Sequence, residues 1–549
     1  MDASTMNIVA VAAGVASHVL IFNRYEMHMH GIAILSVYLA CSAALPLVLV
    51  QLHDLELWSA IRTALVIDAS FLAGAYGSTL IYRLFLNPLN RFPGPYAARI
   101  SSFWWSAQLG KSDAYHKLLA LHKKYGKIVR IGSNDLSIID AAAVEKSFGV
   151  GSKVTKASWY DQDSPINSMH TTRDKSLHDR RRKVWAPAFS DKAIRGYEEI
   201  ISAFNEKLLN RIDEAQGKPF NITHWFNLYS FDVMGSLAFG KQYGMVTSGQ
   251  KTYELEMLNE GMEPLALMLP AWLMRMLVVI PNMLPGYEKF VVFCRDELAW
   301  RVQNDMSRKP GEKTESKPKT GSDILAWILE AYRDVEKPEK EPLLVADTRL
   351  IIVAGSDTTA ATLTYLFYHL AKNPAVVDRL RKELEPLCHN DWSDKDIKHL
   401  AYLNGAINEA MRLHPAVPSG LRRLVPKEGM MVGETFLPGN TEFFMPQFVM
   451  GRDSDNYSEP ESFLPERWAE QADLIKQKDA FAPFSIGPFG CIGKNLALMQ
   501  LRTITAQILL KYDVSLAYGE DGHRLLYETK DHFTVALGAC DVVFKAVKS

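Results

Sequence analysis

Apolar stretches dominate the first 86 residues of the chain. Residues 6–22, 31–52 and 64–86 contain few polar positions, and the first of these stretches is the shortest and carries His18. A membrane-spanning helix needs about 20 mostly apolar residues. The pattern therefore predicts a membrane anchor of two or three transmembrane helices over residues 1–86.

Charges at the ends of these stretches predict how the anchor is oriented. Arg24 follows the first stretch and Asp54 follows the second, whereas Arg83 and Arg91 close the third. Loops that carry Lys and Arg near a span tend to remain in the cytosol. With three spans, Arg24 and everything after Arg91 are therefore expected on the cytosolic side.

Residues 87–96, with the sequence NPLNRFPGPY, differ from both of their flanks. Three prolines and a glycine within this short segment disfavour a helix and favour a stiff connection. We expect this segment to be a proline-rich linker between the anchor and a domain that covers residues 97–549.

Beyond the linker, long helical periodicities outnumber short strand patterns, and no internal repeat is present. The helical patterns cover residues 197–215, 323–334, 343–371, 375–387, 403–413 and 494–510. The strand patterns cover residues 128–131, 136–139, 430–432 and 534–537. The body is therefore expected to be mainly α with minor β.

Two segments of the body have an unusual composition. Residues 307–322 are polar and contain Pro and Gly, which predicts a surface loop. Residues 265–285 are apolar but contain Pro270, Pro281 and Pro285, so they cannot form a single membrane-spanning helix. This apolar segment is either buried or a hydrophobic surface that enters the membrane interface.

The overall composition excludes several classes of protein. Lys and Arg number 61 against 62 Asp and Glu, so no charge excess exists to attract nucleic acid. A hydrophobic content of 48% fits a globular protein with a large interior. The five cysteines are scattered without a CxxC pair, which argues against a disulfide framework or a structural zinc site. Any cysteine with a special role must act alone.

The segment FSIGPFGCIG contains the strongest chemical signal. Cys491 lies just before an apolar helical pattern, where backbone amides and the helix dipole stabilise a thiolate, which is a good ligand for iron. The pattern Phe-x-x-Gly-x-x-x-Cys-x-Gly is formed by Phe484, Gly487, Cys491 and Gly493. This pattern resembles the heme-binding loop of the cytochrome P450 family.

The resemblance implies a heme b cofactor whose iron is bound by the Cys491 thiolate. One position departs from the family pattern. Two residues before the cysteine the family usually has a basic residue that meets a heme propionate, and this chain has Phe489. An aromatic ring cannot supply that charge, so other basic residues are expected to hold the propionates.

Three basic residues are candidates for this role by resemblance. His178 and Arg182 have the i, i+4 spacing that places both on one side of a helix, where the family usually has Trp and Arg. Arg423 matches another propionate-binding arginine, and the neighbouring Arg422 is an alternative.

A second motif resembles the structural centre of the same family. Glu409 and Arg412 are three residues apart in AINEAMRLHP, which places them on one helical face. Arg467 follows in PERW. The resemblance implies that Glu409, Arg412 and Arg467 form a buried triad with a structural rather than a catalytic role.

A third motif, AGSDTT, lies inside the helical pattern at residues 343–371. Small residues followed by an acid and a hydroxyl are costly in an apolar helix unless they have a role. By resemblance to the family's oxygen-binding helix, Ala354 and Gly355 leave room for dioxygen. Thr358 would hydrogen-bond the dioxygen, and Asp357 would relay protons from solvent.

Together these motifs imply a heme monooxygenase that inserts one oxygen atom from dioxygen into a C–H bond. The chain has no nucleotide-binding GxGxxG loop after a strand, so the resemblance implies electrons from NADPH through a separate reductase. It also implies attachment to the endoplasmic reticulum with the catalytic domain in the cytosol. The multi-span leader resembles fungal members of secondary metabolism.

The substrate is expected to be an apolar small molecule such as a fungal polyketide, terpenoid or indole alkaloid. Candidate pocket segments are residues 158–171, 265–284, 350–359 and 416–421. Two other functions remain open at this point. A heme-thiolate isomerase or dehydratase would need no external dioxygen, and a membrane-bound heme sensor would have no catalytic activity.

Overall fold

The computed structural model describes residues 2–162, 164–251, 253–304, 323–333, 337–387 and 391–547. The predicted polar surface loop at 307–322 lies outside these described residues. The α-helices are α1 (Ala3–Ser17), α2 (Gly31–His53), α3 (Leu57–Ile81), α4 (Tyr96–Ile100), α5 (Phe103–Gln108), α6 (Ala114–Tyr125), α7 (Ala142–Phe148), α8 (Lys175–Trp185), α9 (Asp191–Ala215), α10 (Ile222–Phe239), α11 (Met245–Ser248), α12 (Tyr253–Met262), α13 (Ala271–Val279), α14 (Pro285–Gln303), α15 (Ile324–Ala331), α16 (Lys337–Lys372), α17 (Pro374–Leu384), α18 (Asp394–Ile397), α19 (Ala401–Leu413), α20 (Gln447–Met450), α21 (Lys494–Lys511) and α22 (His523–Tyr527).

The strands are few and short. They are β1 (Ile128–Arg130), β2 (Asp135–Ile138), β3 (Thr155–Lys156), β4 (Phe220–Asn221), β5 (Arg422–Leu424), β6 (Met430–Val432), β7 (Thr435–Leu437), β8 (Glu442–Phe444), β9 (Tyr512–Leu516), β10 (Lys530–His532), β11 (Thr534–Ala536) and β12 (Asp541–Ala546). The expectation of a mainly α fold with minor β is confirmed.

The largest sheet in the described residues has the strand order β1-β2-β8-β5-β3. Its last two strands are antiparallel, and Lys156 is the partner of Arg423 across them. Side chains of directly opposite residues lie on the same face of a sheet. This register therefore brings the Lys156 and Arg423 side chains to one face, which becomes important at the functional site.

Helix α16 runs through the interior and organises the helices around it. It packs against α10, α14, α19 and α21, and it extends at both ends beyond the predicted 343–371. Helix α9 likewise begins earlier than the predicted residue 197, because the Ser190 side chain accepts a hydrogen bond from the Ala193 N–H (3.3 Å) and caps the helix at Asp191.

The amino-terminal helices α1, α2 and α3 belong to segments that are long and apolar enough to cross a membrane. Helices α1 and α3 approach closely at two glycines. A Cβ atom at Gly14 would lie 2.1 Å from the Phe71 oxygen, and one at Gly74 would lie 2.2 Å from the Val11 oxygen. Small residues of this kind allow close packing of membrane helices. By length and composition Glu341–Lys372 also qualifies as a span, but 67% of its apolar window is buried inside the protein.

The linker is more ordered and more helical than its prolines predict. A 3₁₀ turn forms at Pro88–Arg91, where the Asn87 side chain accepts a hydrogen bond from the Leu89 N–H (2.8 Å), and Tyr96 already begins α4. The prediction of no helix was wrong here because proline is tolerated in the first turn. Leu89 and Phe92 are buried in a core cluster of the domain that follows, so this segment packs on that domain.

The apolar segment at 265–285 is partly buried and partly exposed. Helix α13 buries Ala271 and Met274 on its inner side, whereas Trp272 and Val279 remain exposed at 39% and 64%. The helix also contacts α2 of the anchor. Its outward apolar side chains therefore lie beside a predicted membrane helix.

The loop between α1 and α2 also contacts the main domain, through a set of charged groups that we call the anchor clamp. Arg173 donates to Glu26 Oε2 (2.9 Å) and to Asp161 Oδ2 (2.6 Å), and His28 Nε2 lies 2.8 Å from the same Asp161 oxygen. Asp161 closes a 3₁₀ turn that also contains Trp159. The anchor thereby touches the segment that leads to the functional site.

Candidate functional site

The loop at residues 484–493, which we call the cysteine loop, is a tight turn held by hydrogen bonds within its own backbone. The Cys491 N–H donates to the Phe484 carbonyl (2.8 Å), and the Gly490 N–H donates to the Gly487 carbonyl (3.0 Å). Gly487 has a φ of +64°, and a Cβ atom there would lie 2.0 Å from the Phe148 oxygen. Only glycine fits this position. The turn therefore fixes the position of Cys491, three residues before α21 begins at Lys494.

The Cys491 side chain is exposed, yet protein atoms surround it. Burial raises the pKa of its thiol, while the backbone N–H groups of Gly493 and Lys494 and the Arg182 guanidinium act in the opposite direction. Exposure together with this desolvation places the sulfur on the wall of an internal space rather than on the outer surface. The Arg182 guanidinium also donates to the Gly490 carbonyl (2.7 Å) and holds the loop against α8.

On helix α16, Ala354 is a residue whose side chain is not covered by other protein atoms. It is exposed although Ile351 and Ile352 beside it are 3% exposed, so it borders an opening in the middle of an interior helix. Because α16 packs against α21, the helices that carry Ala354 and follow Cys491 are neighbours.

Gly355 has different surroundings from Ala354. A Cβ atom at Gly355 would lie 1.7 Å from Cε of Met234 on α10. The small size of Gly355 therefore serves the packing of α16 against α10, which differs from the predicted role beside dioxygen.

Asp357 and Thr358 have different partners. The Thr358 hydroxyl donates to the Ala354 carbonyl (2.9 Å), the back-bond expected of a hydroxyl within a helix. The Thr534 hydroxyl of β11 donates to Asp357 Oδ2 (3.0 Å). Burial raises the Asp357 pKa to about 7, and the Thr534 hydrogen bond lowers it by a smaller amount. Asp357 also lines a cavity of about 630 Å³ together with His532.

The structure brings Glu409, Arg412 and Arg467 together in the interior. Glu409 accepts two hydrogen bonds from Arg412 (2.7 and 2.8 Å) and one from Arg467 (3.1 Å). The Leu464 N–H and the Trp468 indole complete its surroundings at 3.0 and 2.8 Å. All three charged side chains are fully buried.

Of the two neighbouring arginines, Arg423 faces the cysteine loop. It is 2% exposed, and its Nε atom has no hydrogen-bond partner. Arg422 points to the other face of β5, as strand alternation requires, and lies 3.8 Å from Asp135. The His178 ring packs on Phe489 with ring centroids 4.5 Å apart. Arg423 therefore suits an anionic group beside Phe489, whereas Arg422 does not.

These features fit a heme. The exposed Cys491 sulfur would bind the heme iron, and the exposed Ala354 on α16, a helix that packs against α21, would leave space for the heme and its ligand. The orphaned buried nitrogen of Arg423 calls for an anionic partner such as a propionate. The residues present therefore suit an iron porphyrin bound by a cysteine thiolate.

The sequence analysis did not identify two residues near the site, Lys156 and Phe533. Lys156 lies with its Nζ atom 5.0 Å from the Phe489 ring centroid. Phe533, at the tip of the β10–β11 hairpin, stacks on Trp159 with ring centroids 5.4 Å apart. Lys156 lies beside Thr155 in a strand of only two residues, so no local pattern signals it. The positive φ of Phe533 (83°) is likewise visible only in the folded chain.

A family model for Cytochrome P450 matches residues 93–534. The chain belongs to the cytochrome P450 family. Among its relatives, Cytochrome P450 monooxygenase notG' of Aspergillus versicolor is 39% identical over 98% of both chains. Tryprostatin B 6-hydroxylase of Aspergillus fumigatus is 39% identical over 88% of this chain and 85% of its own. Cytochrome P450 monooxygenase lcsK of Purpureocillium lilacinum is 39% identical over 97% of this chain and 96% of its own.

The comparisons confirm the predicted class of enzyme. This cytochrome P450 is a heme-thiolate monooxygenase that uses dioxygen, and its relatives are fungal enzymes of secondary metabolism. The alignment with the Aspergillus versicolor relative covers 544 residues, so it includes most of the amino-terminal helices as well as the catalytic domain.

Proposed function

We propose that this cytochrome P450 hydroxylates an aromatic secondary metabolite that binds against Trp159 and Phe533. The observation that carries the proposal is a pair of rings, Trp159 and Phe533, which we call the aromatic wall. Trp159 lies beside His28 of the anchor, and Phe533 precedes β11, which packs against α16. Trp159 and Phe533 stack nearly parallel, at 23°, and His170 meets Phe533 edge-on with centroids 5.2 Å apart. Such rings favour a flat aromatic ligand through offset stacking and edge contacts.

The surroundings of this wall indicate how an apolar compound could reach it. Trp159 lines one cavity with Leu265, Met268 and Phe533, and a second cavity with His28 and Trp272 beside the anchor. The second cavity adjoins the exposed apolar side chains of α13. A compound dissolved in the membrane could therefore enter from the anchor side.

The relatives suggest a first compound to test. Two of them, from Aspergillus fumigatus and Neosartorya fischeri, are named tryprostatin B 6-hydroxylases. Because this chain is 39% and 38% identical to them, tryprostatin B is the first probe, followed by other indole alkaloids.

In this proposal each site residue has a limited task. The heme, when bound, supplies the activation of dioxygen. Cys491 would bind the heme iron and Ala354 would leave space beside it. The Thr358 hydroxyl, whose hydrogen is donated to the Ala354 carbonyl, would accept a hydrogen bond in that space. The Asp357 carboxyl holds a proton at Oδ1, the oxygen that does not accept from Thr534, and it lines the cavity from which that proton can be replaced.

The proposed reaction can be tested with the full-length chain in membranes together with an NADPH-dependent reductase. We expect tryprostatin B or a related indole to gain one oxygen atom, detected by mass spectrometry, only when NADPH and dioxygen are both present.

Phe533→Ala removes the aromatic stacking partner and is expected to weaken substrate binding up to about tenfold, as measured by the spin-state change of the heme. Turnover without NADPH and dioxygen would instead indicate an isomerase or dehydratase. Heme binding without any substrate response would favour a sensor.

Asp357 predicts a pH dependence of the coupling between NADPH oxidation and product formation. Its raised pKa of about 7 means that the carboxyl is mostly protonated below pH 7 and mostly ionised above it. The yield of product per NADPH should therefore fall as the pH rises through this value. Thr534→Val removes a hydrogen bond that lowers this pKa, so it should move the fall to higher pH. Asp357→Asn should give a lower yield without this pH dependence. A wild-type profile retained in Asp357→Asn would rule out the proton-holding role.

The electrons are proposed to come from an NADPH-dependent reductase in the same membrane, as is general for the family. The membrane is proposed to be the endoplasmic reticulum, with three spans and the catalytic domain in the cytosol. The anchor clamp supports this orientation because Glu26 and His28, in the loop after α1, contact the catalytic domain. A glycosylation acceptor inserted between α2 and α3 should be glycosylated, whereas one inserted between α1 and α2 should not.

A further inference from the structure

Three basic groups surround the Phe489 ring. Lys156 Nζ lies 5.0 Å from the ring centroid and Arg423 Cζ lies 5.7 Å from it, while the centroid of the His178 ring is 4.5 Å away. They come from β3, β5 and α8, which are far apart in the sequence. Lys156 and Arg423 are side by side because they are partners across the two strands.

The two cations lack an acidic partner. Lys156 is 3% exposed and donates to the carbonyls of Met169 (3.1 Å) and His170 (2.7 Å). Arg423 donates to Tyr160 Oη (3.3 Å) and to the Arg422 carbonyl (2.9 Å), and its Nε atom is unpartnered. Over the described ranges, neither Lys156 nor Arg423 forms an ion pair with Asp or Glu.

Such an arrangement is unfavourable for the protein alone. Buried charges need a partner of opposite sign, and like charges on directly opposite strand positions repel. Burial and the charge of Arg423 both lower the pKa of Lys156. The site therefore favours an anionic ligand between the cations, and a heme carries two propionates.

We propose that Lys156 supplies the positive charge that the family usually has at the position of Phe489, and that it binds a heme propionate together with Arg423. The inference rests on the proposed heme site and adds a residue to it. The Phe489 ring then acts as an apolar support on which the lysine stem and the His178 ring pack. The charge has moved from the cysteine loop to β3.

The test uses the full-length protein loaded with heme and needs no substrate. Lys156→Met keeps the length of the side chain and removes its charge. A lost charge-assisted hydrogen bond of about 1.5 kcal/mol corresponds to about tenfold faster heme loss, measured by transfer to excess apomyoglobin. The reduction potential of the iron should fall as well, because less positive charge then offsets the propionates.

Two further variants separate this role from a general loss of stability. Lys153→Met removes an exposed lysine three residues earlier, which pairs with Glu428 at the surface, and it should leave heme loss and potential unchanged. Phe489→Arg in the Lys156→Met background returns a base to the cysteine loop and should slow heme loss again. Phe489→Arg alone should bring no such gain, because Lys156 already supplies the charge.

The outcomes distinguish this inference from the proposed function. If Lys156→Met loses heme at the wild-type rate, or if Phe489→Arg fails to rescue it, Lys156 does not bind a propionate although the enzyme still carries heme. If the wild-type chain retains no heme, the proposed function itself fails.

Discussion

Replacing Cys491 with alanine is expected to abolish both product formation and the absorption band of carbon monoxide bound to a thiolate-ligated heme. Cys491 is a free and exposed cysteine in the cysteine loop. Cys294 and Cys540 are both fully buried, and burial raises the pKa of both thiols, that of Cys540 to about 12. Neither can replace the lost ligand.

Cys41→Ala is the matched control, since Cys41 is an exposed cysteine in the second helix of the anchor. It should retain the full absorption band and full turnover. A thiolate band that persists in Cys491→Ala would mean that another sulfur binds the iron, and the assignment of the cysteine loop would then be wrong.

Replacing Glu409 with glutamine is expected to be the most damaging change to stability. The substitution keeps the size of the side chain but leaves Arg412 and Arg467 buried without a counter-charge. Removing one partner of a buried ion pair costs about 3–5 kcal/mol, and here two arginines lose their acid at once. The folded enzyme should therefore unfold at a much lower temperature, as followed by circular dichroism in detergent, and heme should be released during unfolding.

Glu428→Gln provides the comparison for this result. Glu428 forms an exposed pair with Lys153, with side chains 57% and 78% exposed, and exposed pairs of this type contribute little. It should unfold at the wild-type temperature. Equal stability of the Glu409 and Glu428 variants would contradict the structural role of the triad.

Local motifs in the sequence predicted those parts of the site whose residues are close together along the chain. Cys491 and its glycines form one turn, and Glu409 and Arg412 lie on one helical turn. Arg467 was assigned to this triad only through resemblance to the family, because it lies 58 positions after Glu409 in the sequence. Each of the six predicted helical patterns corresponds to a helix, because the apolar period persists over many residues, whereas the long helices α10 and α14 were not predicted.

The remaining parts depend on contacts that no local pattern contains. Lys156 meets Arg423 through strand pairing, and Gly355 faces Met234 through helix packing. The choice between Arg422 and Arg423 followed from which face of β5 each occupies. The structure of the linker at Pro88–Arg91 was predicted incorrectly. The prediction considered only its prolines, whereas the Asn87 cap and the burial of Leu89 stabilise the turn.

The anchor clamp has a consequence for how soluble forms of this enzyme are prepared. A chain shortened to begin at residue 87 would lose Glu26 and His28, so that of the ion pairs in the clamp only the one between Arg173 and Asp161 would remain. Trp159 lies two positions before Asp161 in the same turn. Removing the amino-terminal helices is thus expected to loosen the aromatic wall, so that substrate affinities measured on the truncated enzyme would describe an altered entrance.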